Sequence, residues 1–185
     1  MPVQPQHRFS VEDYHRMIEA GVFAEDERLE LLEGVIVEMS PQRPRHAEVI
    51  RRLCDPRFVT VGPEYVVQSQ LPLTLGPDAE PEPDVAVVPR KDQGYGDSHP
   101  TGAFLVFEVS RDSLRKDRLL KAAIYARAGI PEYVIVNLAG HCLEIHRDPD
   151  PTASRYRTVV TLAEGDRFES TAVSGFAFVV ADLLA

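Results

Sequence analysis

Residues 103–110 read Ala-Phe-Leu-Val-Phe-Glu-Val-Ser, an apolar run interrupted by one carboxylate, Glu108. A run of this kind is expected to form a strand covered on both faces. An ionised carboxylate there costs several kcal/mol, about the penalty for burying an ion, unless a cation or hydrogen bonds offset it. The segment from Ser113 to Ala128 follows with helical character, and Tyr133 to Val136 is again apolar. Asp112 or Ser113 suits the helix start, and Gly129 with Pro131 suits its end. Leu119, Leu120, Ala123, Ile124 and Arg127 recur at three- and four-residue steps, which predicts that this face turns inward. Strand, helix, strand implies a parallel pair, with Glu108 at the carboxyl end of the first strand. Open α/β sheets place their ligands at that edge.

Asp84 belongs to the same edge. Val85 to Val88 reads as a strand, and residues 89–102 return the chain to the Glu108 strand. If the two pair antiparallel, the start of one lies beside the end of the other. Two carboxylates meeting there repel unless a cation joins them or one keeps its proton. Oxygen ligands of this sort, with a backbone carbonyl and waters, suit magnesium or manganese.

The surrounding phrases extend this pattern. Pro83-Asp84, Phe107-Glu108-Val109-Ser110 and Lys121 resemble the PD-(D/E)XK nuclease superfamily. The wider chain resembles more closely the Uma2 family of restriction-type endonucleases. The similarity rests on Arg28-Leu-Glu30-Leu-Leu-Glu-Gly34, Met39-Ser-Pro41, His46, Gln68-Ser-Gln70-Leu-Pro72 and Pro81-Glu-Pro-Asp-Val85. It continues through Glu108-Val-Ser110, Asp117-Arg118 with Lys121, and residues 125–133. The superfamily usually carries lysine two residues after the glutamate, where this chain has Ser110. In the Uma2-like pattern the lysine stands on the following helix, where Lys121 fits. A residue that is often Asp in the family is Asn137 here.

The resemblance implies a restriction-endonuclease-like α/β fold: a mixed central sheet flanked by helices, with extra antiparallel strands at both ends. It implies Mg2+- or Mn2+-dependent cleavage of phosphodiester bonds, with DNA as the expected partner. Asp84, Glu108 and the carbonyl of Val109 would then hold the metal. Lys121 would orient water or offset charge on the phosphorane, and Glu30 would act through the water shell. Lys121 also reads as a solvated helix lysine paired with Asp117 one turn earlier. Glu30 by itself reads as a solvated strand residue of a hairpin over Asp26 to Ser40, with Leu29 to Leu32 and Val35 to Met39 flanking a Glu33-Gly34 turn. His46, in the first turn of a helix from about Arg45 to Cys54, reads equally as a surface residue; the resemblance makes it and Gln70 substrate-binding candidates.

Arg43, Arg45, Arg51 and Arg52 could touch phosphates or form the wet face of that helix. Tyr65 to Leu71 alternates as a strand with Gln68 and Gln70 on one side. Ser10 with Asp13 caps a short N-terminal helix. The polar segment 90–100 is expected to be a mobile loop beside the site. Beyond Asn137, antiparallel strands at 142–147, 156–162, 167–169 and 176–180 are expected to finish the sheet and to cover the core or form a homodimer edge.

Composition sets the outer limits. A chain of 185 residues, 44% hydrophobic, suffices for a single domain with its own core. No apolar run reaches the ~18 residues of a membrane span, and the N-terminus lacks a signal-peptide core. Cys54 and Cys142 form no disulfide framework, which suits reduced core thiols in the cytoplasm. The net charge of -9 disfavours an extended nucleic-acid surface, and leaves a catalytically silent interaction module as the alternative. There is no phosphate-cradling glycine loop, zinc spacing or serine elbow.

Overall fold

The computed structural model describes residues 6–24, 26–39 and 41–185. Its centre is a six-stranded sheet in the order β3 (Tyr65–Gln68), β4 (Val85–Pro89), β5 (Leu105–Ser110), β6 (Glu132–Asn137), β7 (Cys142–Asp150) and β8 (Arg155–Ala163). Only β5 and β6 run parallel, as the strand–helix–strand pattern requires; all other neighbours are antiparallel. Every residue of β5 and β6 is buried, which explains why both read as nearly continuous apolar runs.

The two faces of the sheet carry separate cores. On one, Phe107, Val109 and Val134 pack against Val49, Ile50 and Leu53 of α2 (Pro44–Cys54). That layer is completed by a two-stranded sheet, β9 (Arg167–Glu169) with β10 (Ala177–Val179), and by α5 (Val180–Leu184). These last strands were expected to finish the central sheet. Among the described residues they instead pair only with each other, and Phe168, Phe176 and Phe178 pack around Phe107 on this face.

On the other face, Val106 and Ile135 pack against a continuous helix over residues 114–127. It consists of a first turn, α3 (Leu114–Lys116), a π-helical turn (Asp117–Lys121) and α4 (Ala122–Arg127). The helical periodicity placed Leu119 inward, but it is 63% exposed. The inward positions are Asp117, Lys121, Ala122, Ile124, Tyr125 and Ala126. The wide turn breaks the 3.6-residue period on which that reading depended. Gly129 follows the helix at φ +71°, the left-handed stop expected of it.

At the N-terminal side, α1 (Val11–Glu19) opens on the Ser10–Asp13 capping box. The hairpin β1 (Leu29–Leu32) and β2 (Val35–Glu38) turns at Glu33 and Gly34, both at positive φ. A Cβ on Gly34 would stand 2.7 Å from Cβ of Arg8, so only glycine fits. Residues 72–83 return past β1, with the Leu31 and Glu80 backbones bonded to each other. Ser40, assigned to the hairpin from sequence, lies outside the described residues.

Two further expectations need correction. β3 ends at Gln68, and Gln70 sits in a left-handed turn at φ +53°, so the two glutamines do not share a strand face. The segment 90–100 connects the far ends of β4 and β5, away from Asp84 and Glu108. Both cysteines are free and only partly buried. Among the described residues no helix is long and apolar enough to cross a membrane.

Candidate active site

The antiparallel register pairs Val85 with Phe107, and one further step sets Asp84 opposite Glu108. Leu138 donates its N–H to the carbonyl of Ser110, so the alternate residue Val109 turns its own polar groups toward β4. There β4 has not yet begun. The Asp84 side chain fills the gap: its Oδ2 accepts the Val109 N–H at 2.7 Å. Its Oδ1 lies 2.9 Å from Nε2 of His46, which enters from the first turn of α2. The Val109 carbonyl shares this edge.

Glu108 points to the helix side. Its Oε1 accepts from Nζ of Lys121 at 2.9 Å and from the Tyr125 hydroxyl at 2.6 Å. Lys121 also reaches Oε2 of Glu30 at 3.0 Å, and Lys116 reaches the other oxygen of Glu30 at 3.0 Å. The hairpin and the crossover helix thus meet through an alternating chain, Lys116, Glu30, Lys121, Glu108. The carboxylate that looked uncompensated in the sequence is therefore paired. The sequence-based pairing of Lys121 with Asp117 is not made; Asp117 instead accepts from the Ser113 hydroxyl at 2.6 Å.

The π turn brings Lys121 here. The Ala122 N–H reaches the Asp117 carbonyl five residues back, and the Tyr133 hydroxyl donates to the same carbonyl at 3.2 Å. The widened turn faces Asp117, Lys121 and Tyr125 together toward the sheet. Such turns are frequent at functional sites.

Burial pushes Glu108 up to about 8; Lys121 opposes this, while Asp84, Asp117 and Glu30 add to it. Burial would lower Lys121, but Glu108 and Glu30 more than offset it, so the ammonium is held above its ordinary range. For Glu30 the two lysines outweigh burial and keep it below its ordinary range. Asp117 is raised, chiefly by burial.

These groups line a cleft of about 50 Å³ with His46, Gln70 and Val109, room for an ion and a few waters and no more. Four carboxylates (Glu30, Asp84, Glu108, Asp117) face three cations, Arg28, Lys116 and Lys121, there, so the cleft remains short of positive charge. Oε2 of Glu108 accepts no hydrogen bond from the described residues, while Nε2 of Gln70 is buried without a partner. Among the described residues no three His, Cys, Asp or Glu side chains converge as a metal cage. Two carboxylates and a backbone carbonyl fit a hard divalent cation that keeps several of its waters.

The seven residues singled out from the sequence (Glu30, His46, Gln70, Asp84, Glu108, Val109, Lys121) all line this cleft. Lys116 was missed. It lies five residues before Lys121, and only the π turn and the inward Glu30 reveal its place. Of the four arginines, Arg51 and Arg52 are committed elsewhere: both reach Glu48, and Arg52 also reaches the Asp182 carbonyl.

A mixed sheet with one parallel pair, and a carboxylate–lysine cluster where that pair meets an antiparallel neighbour, define a restriction-endonuclease-like α/β protein. The profile of the family described as "Uma2: Putative restriction endonuclease" matches residues 11–181. The chain belongs to that family. Its fold is similar to the crystal structure of a protein from Anabaena variabilis described as "a putative nuclease belonging to DUF820". The two share a TM-score of 0.66 and 14% identity, over 95% of this chain and 97% of that one. No curated protein matches the chain.

Proposed function

We propose that the protein is a divalent-metal-dependent endonuclease that hydrolyses phosphodiester bonds of DNA in the cytoplasm. The observation that carries this reading is the buried contact of Lys121 with both Glu108 and Glu30, beside Asp84. It places a fixed ammonium at the edge where two carboxylates and a carbonyl could hold Mg2+ or Mn2+.

Asp84, Glu108 and the carbonyl of Val109 would be the ligands. A bound ion there would polarise a phosphoryl oxygen and lower the pKa of a water. Asp84 is oriented by the Val109 N–H and by His46, which leaves lone pairs of both its oxygens toward the cleft. Lys121 offsets charge that builds on the phosphorane. Glu30 acts as a positioning residue: its carboxylate holds Lys121 and Lys116 rather than reaching substrate through water.

The test is hydrolysis of labelled single- and double-stranded DNA and RNA with magnesium, manganese or EDTA. Asp84→Asn and Glu108→Gln should abolish cleavage. Lys121→Ala should lower the rate at least about 100-fold, roughly 2.7 kcal/mol of transition-state stabilisation. No metal-dependent cleavage of any substrate would favour a second reading, a silent interaction module. That reading draws on the ion pairs already satisfying Glu108 and on the net charge of -9.

A further inference from the structure

Next to the carboxylate cleft lies a larger concavity of about 360 Å³, and His46, Val109 and Ser113 form part of both walls. Its rim carries Arg43, Arg45 and Arg111 against a single carboxylate, Asp112. Arg43 meets Asp112 at 3.5 Å with both side chains largely in water, a contact worth little. Arg45 spends one N–H on the Leu184 carbonyl. Arg111 is exposed and donates to no acceptor among the described residues. Leu138, a buried residue, also lines the concavity and adds an apolar side chain to its wall. The first turn of α2 adds a related oddity: it has no acidic residue, and Arg43, Arg45 and His46 crowd its positive end. Helix stability favours the opposite sign there, so these residues answer to something outside the helix.

Charge and shape together narrow what that is. A duplex-binding surface commonly makes about 6–10 phosphate contacts spread along a strip. This chain has a net charge of -9, and the arginines here are confined to one hollow. Its volume matches a pocket for a single small-molecule-sized unit, about 300–1,000 Å³. A base inside a duplex is stacked and paired, and costs a few kcal/mol, order of magnitude, to extract. An unpaired nucleotide offers both its phosphate and its base without that cost.

We propose that this hollow holds one unpaired nucleotide next to the scissile phosphate, so that the substrate is single-stranded nucleic acid; the inference rests on the nuclease reading above. The nucleotide's phosphate sits against Arg43 and Arg111, and its base covers Leu138. The strand then passes His46 into the carboxylate cleft.

The test uses the full chain, a fluorescein-labelled single-stranded DNA decamer, and the same sequence as a duplex, with calcium in place of magnesium. Anisotropy should show the single strand bound at least about 10-fold more tightly. Arg43→Ala with Arg111→Ala should weaken single-strand binding at least about 10-fold. It should also flatten the log–log salt dependence by about 0.7, the share of the one phosphate that the two arginines hold. Arg43→Lys with Arg111→Lys should recover part of the affinity. Equal or tighter duplex binding, or wild-type affinity in the alanine pair, would overturn the assignment. Cleavage of the same oligonucleotides with manganese separates the two ideas. Duplex cleavage that the alanine pair leaves unchanged sinks the hollow's role and spares the nuclease reading. Arginine-dependent single-strand binding without any cleavage does the reverse.

Discussion

Glu108 and Lys121 are adjacent in space and opposite in consequence when removed. The Glu108 carboxyl is pushed up to about 8, so near neutral pH an amide replaces a group that already tends to hold its proton. Gln at 108 can still accept from Tyr125, and Lys121 keeps Glu30. Glu108→Gln should therefore change stability by less than about 1 kcal/mol, the net worth of one hydrogen bond. Lys121→Ala strips the buried, ionised Glu30 of one of its two lysines and Glu108 of a donor, and should cost about 3–5 kcal/mol. Urea unfolding of both variants in metal-free buffer checks the contrast; equal losses would mean that Glu108 is held ionised by the fold. A second residue sets an acid limit. His146 is buried between the rings of Tyr133 and Tyr156, with Nε2 unpartnered. Burial lowers it; Glu144 works against this and Arg118 with it. The unfolded chain then takes up a proton near pH 6.5 that the folded site refuses until lower pH, so stability falls as pH drops through that window. His146→Phe should narrow the gap in Tm between pH 7.5 and 5. At this scale Asp84 and Glu108 were legible, because a carboxylate in or beside an apolar strand stands out. The contacts of Glu108 were not legible in the residues themselves, because bonds across 13 and 17 residues leave no local mark; only the family resemblance brought Lys121 to its side.

The crossover helix shows why an element can be foreseen while its facing is not. Its existence follows from residues 113–128, its end from Gly129, and its parallel strands from its length. Its facing depends on a period that the π turn interrupts, and no single residue in Asp117–Lys121 announces the interruption. The resulting exchange of inside and outside is measurable. Leu119, which periodicity places in the core, should tolerate alanine within about 0.5 kcal/mol. Ile124, 1% exposed, should lose about 2–5 kcal/mol. Chemical denaturation midpoints check this: comparable losses in the two variants would mean that Leu119 packs inward with Ile124, as a regular helix would have it.

Across the whole molecule, the site edge is held from behind. β5 carries Glu108 toward the helix and Phe107 toward the opposite layer, where Phe107 stacks on Phe176 at 5.5 Å between ring centroids. Phe176→Ala should cost about 3–5 kcal/mol, lowering the urea midpoint with little change in slope. The mixed sheet, its single parallel pair and the hairpin ahead of it were all readable in the sequence, because alternation and turn residues encode them. The detached β9–β10 pair was not readable: three short strands or two look alike until it is known which aromatic ring covers which strand.

The π turn has one last consequence. A helical turn holding an additional residue behaves as a built-in insertion, and what it protects is a count rather than a side chain. Any substitution at Leu119 leaves that count intact, whereas deleting Leu119 would let the helix close into a regular spiral. With Ala122 to Ala126 anchored in the core, the lost length falls on the residues before them, and Asp117 and Lys116 rotate away from Ser113 and Glu30. Alanine scanning would be blind to this position, which only a change in chain length can expose.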